Sequence, residues 1–350
     1  MALLSPPLTA RRRTIPGAGS MSELFFFINK VVVSGAVIGS IYALGAIGVT
    51  LVFGILRFAH FAHADVMTVG AFVAFAGAVL LGGEAQVLGL PHAVLILPIA
   101  MALTAAFAVG LDRVFYRPLR MQGARPVVLV MASIGVTLMI QGLVRLFAGP
   151  RARQMYVAER KDIYRVDVLG ERITITEPQV ILLVLTLVSV VALALFLGRS
   201  KLGKAMRAVS DNPDLARVSG ISVDTVVTAT WVIAGALAAV AGVMLALDVT
   251  LKPDLSFNIL LPIFAATIVG GIGQPFGAVA GGFLIGFSET LAVFNWGVLF
   301  RALNRLTPDW ADLPTRVQLV PSEYKLMVPF VILIAVLIVR PTGIFKGRVI

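Results

Sequence analysis

Between Val180 and Gly198 the chain runs V-I-L-L-V-L-T-L-V-S-V-V-A-L-A-L-F-L-G without a charge, and Thr225 to Leu247 is uncharged over a similar length. Each stretch is long enough to cross a hydrocarbon core of ~30 Å as a helix. Seven further apolar segments can be drawn, giving nine in all: roughly 31–56, 66–83, 92–111, 126–148, 179–198, 224–247, 255–271, 276–294 and 326–339. The last holds fourteen uncharged residues, Leu326 to Val339, so it starts earlier or lies in a thinned bilayer. Residues 255–288 carry no charge but contain G-G-I-G-Q-P-F-G from Gly270 to Gly277. A single helix does not survive that run, so a tight turn or a broken helix is expected there. The expected fold is all-α: a polytopic transmembrane helical bundle of about 8–9 membrane segments, including broken or re-entrant helices. Residues 1–30 form an N-terminal tail, and 31–345 form the membrane domain.

Composition agrees. The chain is 59% hydrophobic and 13% charged, against about 25% charged in soluble domains. It has no cysteine, which excludes disulfides and thiolate metal sites. The net charge of +11 comes from basic residues beside apolar spans, which suits membrane lipid and argues against nucleic acid. The first twenty residues make a poor signal peptide, because Arg11, Arg12 and Arg13 follow the weakly apolar stretch and Pro6 and Pro7 interrupt it. They read as a disordered tail or an over-called start ahead of Met21.

Lys/Arg density orients the chain. Arg113, Arg117, Arg120 and Arg125 crowd one short loop, and Arg199, Lys201, Lys204, Arg207 and Arg217 crowd another. Both are expected in the cytoplasm, with Arg340, Lys346 and Arg348, while residues 149–178 form an outer loop. The front end does not balance. Three full spans before Arg113 put the N-terminus outside, whereas Arg11 to Arg13 favour the inside. Either the arginine tail is not real, or one of the first three segments only dips into the membrane.

The basic loop 199–223 carries the most local detail. Leu202, Ala205, Met206 and Val209 follow an i, i+3, i+4, i+7 pattern, with Lys201, Lys204 and Arg207 elsewhere on the wheel. A second short helix is expected after it, with Asn212 as N-cap, Pro213 at N1, Asp214 at the positive dipole end and Gly220 as the left-handed stop. An ordinary basic loop held by anionic lipid would not need both caps. Gly198-R-S-K-L-Gly203-Lys204 approaches a phosphate loop, but Ala205 stands where Ser or Thr is needed, and an apolar span precedes it instead of a strand. Nucleotide binding is therefore rejected, and no cofactor is expected.

A second polar cluster is R-F-A-H-F-A-H-A-D-V-M-T-V-G-A-F, Arg57 to Phe72. On one helix His60 and His63 lie a turn apart, while Asp65 points about 140° from His60. A metal triad would need broken backbone, and no second carboxylate is near. The remaining readings are an interfacial turn and a polar element lining a substrate path. Candidate path residues are His60, His63 and Asp65, with Gly270, Gly271 and Gly273 from the glycine run. Glu289, a lone acid near one end of a span, reads as snorkelling to the interface. No nucleophile–base or metal set is found, so no catalytic residue is assigned.

Taken together, several ordered stretches resemble the permease subunits of branched-chain amino acid ABC transporters. They are G-S-I-Y-A-L-G-A-I-G-V-T-L-V-F-G (Gly39 to Gly54), F-A-H-A-D-V-M-T-V-G-A (Phe61 to Ala71), Y-R-P-L-R (Tyr116 to Arg120), G-K-A-M-R-A followed by Asn212, Ala216, Gly220 and Ile221, G-G-I-G-Q-P-F-G-A-V-A-G-G, and R-P-T-G-I-F (Arg340 to Phe345). The resemblance covers about Val31 to Phe345. It departs at His60, where the family usually has Asn, and at Ala64, where it has Gly. It implies half of a translocation path in a bacterial inner membrane. The implied partners are a second permease subunit, two ATP-binding cassette ATPase subunits and a periplasmic substrate-binding protein. It also implies that Leu202, Gly203, Ala205, Met206, Arg207, Asn212, Ala216 and Gly220 couple the chain to an ATPase. The implied cargo is a branched-chain or related amino acid, with urea, amides or small carboxylates as the alternative. An ion-coupled secondary transporter would place paired discontinuous helices at midplane. Here only 57–72 and 270–277 qualify, and they are dissimilar.

Overall fold

The computed structural model describes residues 18–82, 90–156, 161–168, 171–304, 314 and 317–345. Arg11 to Arg13, Lys346 and Arg348 lie outside the described residues. The helices follow in chain order as α1 (Ala18–Phe27), α2 (Ser34–Leu56), α3 (His63–Leu81), α4 (His92–Leu95), α5 (Leu97–Leu111), α6 (Arg117–Met121) and α7 (Pro126–Ala148). A hairpin of β1 (Ile163–Val168) and β2 (Glu171–Thr176) comes next. After it run α8 (Glu177–Arg199), α9 (Lys201–Asp211), α10 (Pro213–Val218), α11 (Val223–Asp248), α12 (Phe257–Gly270), α13 (Pro275–Val293), α14 (Gly297–Asn304) and α15 (Met327–Val339). A π-helical turn at Ile28–Val33 joins α1 to α2, so helix begins at Ala18, inside the stretch expected as a tail.

Among the described residues seven helices are long and apolar enough to cross a membrane, and the protein is a polytopic helical bundle. Two of the nine expected segments are shorter. α12 has 14 residues, about 21 Å at 1.5 Å per residue, well under the ~30 Å core. It begins inside the bundle, where Ser256 N donates to the Thr68 hydroxyl at 3.3 Å, and both residues are fully buried. The irregular backbone at membrane depth is thus 249–256, ahead of α12. Residues 271–274 are only a tight turn between α12 and α13. α15 has 13 residues and follows a 3-10 turn at Ser322–Tyr324, so it does not start earlier.

Among the described residues the hairpin is the one departure from an all-α fold. Its strands pair antiparallel from Ile163 with Thr176 to Val168 with Glu171. The period-two pattern of I-Y-R-V-D-V and E-R-I-T-I-T was its sign. Asn29 holds it from the π-helical turn before α2: its Nδ2 donates to Arg172 O at 3.3 Å, and its Oδ1 accepts from Thr174 N at 3.1 Å. At the other end of α2, Arg57 Nη2 donates to Ser210 O at 2.7 Å. So α2 runs from the hairpin end of the bundle to the basic end. The continuous helices Glu23–Leu56, His63–Leu81 and Leu97–Met121 are each long and apolar enough to cross a membrane.

The bundle closes around α2 and α11, the most buried of the seven long helices, while α7 and α8 are largely uncovered. Small residues let backbones touch, as expected where lipid offers no hydrophobic drive between helices. Gly282 and Gly286 of α13 lie against Ala43 and Gly39 of α2, and Gly242 of α11 lies on the Met67 backbone of α3. A Cβ at Gly242 would overlap the Met67 carbonyl, which cannot swing aside as a side chain would. Gly142 of α7 has open space. Gly242→Val should therefore cost at least about 1–3 kcal/mol of overpacking and lower the melting temperature in detergent, and Gly142→Val should leave it unchanged. Equal melting of both variants would refute this packing.

Candidate functional site

The α2–α3 junction is built to be buried. Arg57 ends α2 in the left-handed region at φ +57°, with its N–H on Phe53 O, so the chain reverses at once. A non-glycine residue there is strained, and its side-chain bond to Ser210 holds it. The next residues are irregular until α3 starts at His63, so His60 precedes the helix and is joined to it by a turn in which His63 N donates to His60 O at 3.2 Å. All three ionisable side chains are buried inside the protein: His60 and Asp65 are 0% exposed and His63 is 2%.

Four residues from three other elements complete this cluster. His60 Nε2 and the Tyr116 hydroxyl are 3.0 Å apart. Trp231 of α11 stacks on Tyr116 with centroids 5.4 Å apart, and its ring meets the His60 edge at 4.9 Å. Phe61 N donates to Ser133 Oγ of α7 at 3.1 Å. Asp65 Oδ1 accepts from Gln141 Nε2, also of α7, at 3.0 Å. His60 Nδ1, His63 Nε2 and Trp231 Nε1 are buried without a hydrogen-bond partner. His63 packs on Gly48 so closely that a Cβ there has no room. Among the described residues no three His, Cys, Asp or Glu side chains gather closely enough to hold a metal ion.

Tyr116, Trp231, Ser133 and Gln141 were not singled out from sequence. Tyr116 stood in Y-R-P-L-R, and Gln141 is the one amide within the apolar run 126–148. The same motif fixes its own loop, since Arg120 grips the buried Asp112 carboxylate with bonds of 2.7 and 3.1 Å.

The six expected path residues do not form one site. Gly271 (φ +109°) and Gly273 (φ +81°) make the turn after α12, as only glycine does easily. Gly270 of α12 packs on the Gly277 backbone. Gly273 N donates to the Thr50 hydroxyl at 3.0 Å. Gly273 then lines a cavity of about 320 Å³ with Gly54, Met206, Ser210 and Gln274. The glycine turn thus belongs with α9, on the other side of α2's last turns from the histidines.

α10 has the expected caps, and α9 starts on one that was not singled out from sequence. Ser200 Oγ accepts from Gly203 N at 2.8 Å. Asn212 Oδ1 accepts from Asp214 N and Leu215 N at 3.1 and 3.0 Å, and Gly220 takes φ +83°. The apolar face of α9 packs inward. Gly203, Met206 and Val209 are buried against this chain's own bundle, and Leu202 and Ala205 are half-buried. Ser210 Oγ donates to Gly54 O at 3.2 Å, tying α9 to α2. Ala216 pins α10 inward, while Leu215 and Val218 stand 65% and 87% exposed beside the Asp214–Arg217 pair. Lys201, Lys204 and Arg207 also face out.

Glu289 does not snorkel. It is 2% exposed, accepts from the Tyr42 hydroxyl at 2.7 Å and lies 3.5 Å from Lys325 Nζ, an ion pair too long for a good hydrogen bond. A double-mutant cycle of Tyr42→Phe with Glu289→Gln should give about 1.5–3 kcal/mol of coupling, the range for a bond to a charged group. Lys325→Met should cost under about 1 kcal/mol because that side chain is half-exposed. Urea unfolding in detergent measures both, and a coupling near zero would exclude the Tyr42–Glu289 bond.

Residues 31–337 match the family described as branched-chain amino acid transport system / permease component. The chain is 31% identical over 333 residues to the high-affinity branched-chain amino acid transport system permease protein BraD of Pseudomonas aeruginosa, covering 94% of this chain and 98% of that protein. It is also 31% identical to the corresponding permease protein LivH of Escherichia coli K12, with the same coverage. The probable branched-chain amino acid transport permease protein LivH of Methanocaldococcus jannaschii is 28% identical, over 90% of this chain and 92% of that protein. No solved structure matches. With nine apolar segments in one bundle and a family match from the first span to the last, this chain belongs to the branched-chain amino acid transport system permease family.

Proposed function

We propose that this permease forms half of a translocation path for branched-chain or related amino acids in an ABC importer of the inner membrane. It would work with a second permease subunit, two ATP-binding cassette ATPases and a periplasmic substrate-binding protein. The basic end faces the cytoplasm and the hairpin end faces outward, following the excess of Lys and Arg in the short loops. The observation that carries the reading is the α9–α10 unit. One side is bonded into the bundle and the other offers Leu215 and Val218, with basic side chains around them.

Energy has to arrive from another chain. The Gly198–Lys204 run lies at the end of α8 and the first turn of α9, and Ser200 there caps Gly203. That supports a permease without a nucleotide site of its own. An ATPase gripping α10 would move α9. Arg57, Ser210 and Gly54 would pass that movement to the end of α2, and Gly273 with Thr50 would pass it to the turn before α13. These bonds surround the α2–α3 junction, so two packings of the bundle would expose the polar cluster differently. His60, His63, Asp65 and Trp231 would then offer their polar atoms to a passing solute, while Gly270, Gly271 and Gly273 would hinge the inner mouth.

Leu215→Asp and Val218→Asp should abolish co-purification of the ATPase and substrate uptake without impairing insertion. Met206→Asp should instead destabilise the permease itself, because a carboxylate would be buried in its own bundle. Wild-type uptake in both α10 variants would remove the coupling role. An impermeant maleimide should label Tyr164→Cys on intact cells, and Ser219→Cys only after permeabilisation. The reverse pattern would invert the orientation. Uptake of a sugar and of no amino acid would reject the substrate class.

A further inference from the structure

α7 is fastened to α3 along one half only. Toward the basic end Ser133 binds the Phe61 N–H, and Gln141 binds Asp65. Past Gln141, no hydrogen bond joins the two helices among the described residues, and they part. The space that opens is a groove of about 710 Å³ walled by the hairpin-end halves of α3 and α7, with Phe107 of α5 beneath. Its walls are apolar, with Phe75, Val79, Leu143 and Phe147 among them. From Val69 to Leu80 the α3 wall rises about 17 Å, roughly the half of the ~30 Å core that one leaflet supplies.

The mouth of the groove is basic. Arg153 lies over the Phe75 ring, 5.6 Å from its centroid, and donates to Ala148 O at 2.8 Å. Its backbone is fixed by a two-way bridge to Leu251, both bonds 2.9 Å. Arg145, in the last turn of α7, and Arg151, two residues before Arg153, are also exposed. That is a notable density for the end of the bundle opposite the basic loops.

We propose that this groove is a specific phospholipid site, in which one acyl chain lies between α3, α5 and α7 and the lipid phosphate is held by Arg153, with Arg145 and Arg151 at the same end of the bundle. Protein interiors are close-packed, and a gap this size facing the bilayer is filled by hydrocarbon. Guanidinium groups match phosphate oxygens in geometry as well as charge, and basic recesses between membrane helices favour anionic headgroups. An acyl chain here also keeps the free half of α7 in place.

The test is native mass spectrometry of the purified transporter, stripped of loosely bound lipid and exposed to vesicles of phosphatidylglycerol or phosphatidylcholine. One phosphatidylglycerol per copy should survive in the wild type, and phosphatidylcholine should survive at least tenfold less. Ala76→Trp, which fills the groove from the lipid side, should lose both lipids. Arg153→Gln should lower phosphatidylglycerol retention about tenfold and remove the preference between the two. If Ala76→Trp fails to insert, Arg153→Gln decides alone. Equal retention of both lipids by the wild type, or wild-type retention in Arg153→Gln, would overturn the site. So would cross-linking of Phe147→Cys to a second protein chain, which would make the groove a subunit interface.

Discussion

Apolar side chains gain little by meeting each other in lipid, so this bundle depends on backbones that come within touching distance. α2 is the hub. Gly39 and Ala43 receive Gly286 and Gly282 of α13, and Gly48 receives the His63 ring. Only Arg57 of the α2–α3 junction stands exposed, and the polar groups buried beside it take their partners from neighbouring elements. Ser133, Tyr116 and Gln141 supply those partners from two other elements. The polar cluster is therefore a consequence of close packing, and its remaining orphan nitrogens mark where the packing leaves chemistry unspent.

Much of the fold was legible because it is local. Apolar length specified each span, and Asn212, Pro213 and Gly220 specified where α10 starts and stops. These features depend on residues a few positions apart. What was illegible joins distant parts of the chain. Glu289 looked like a lone acid because Tyr42 is 247 positions away and Lys325 lies in a different segment. His60 and His63 seemed to share a helix until Arg57 took a left-handed turn, which no local rule demands of arginine. The hairpin was legible in its alternation, but the apolar character of the whole chain outweighed six-residue strands.

α9 teaches a narrower point. An amphipathic helix announces that one face will be covered, and says nothing about what covers it. Here the cover is the permease itself, so the candidate contact moves from Met206 to Leu215 and Val218, on a helix too short to show a moment. Ala216, between them, is buried and gives α10 its inward anchor. The unit is a lever whose fixed and free arms are both written in twenty residues, but only the fixed arm resembles a binding face in sequence.

The central position of α2 has a consequence for how the protein is made. A chain is synthesised from its N-terminus, yet the principal neighbours of α2 are α11, α12 and α13, beginning at Val223. The Asn29 clamp on the hairpin closes only once Arg172 has emerged, 143 positions later. The helix destined for the deepest burial enters the membrane first and meets its packing partners last. During that interval its glycine-lined faces and Tyr42 are open to lipid or to the insertion machinery. Assembly is thus a wrapping of later helices around an early one, and the length of that wait is set by the order of segments along the gene.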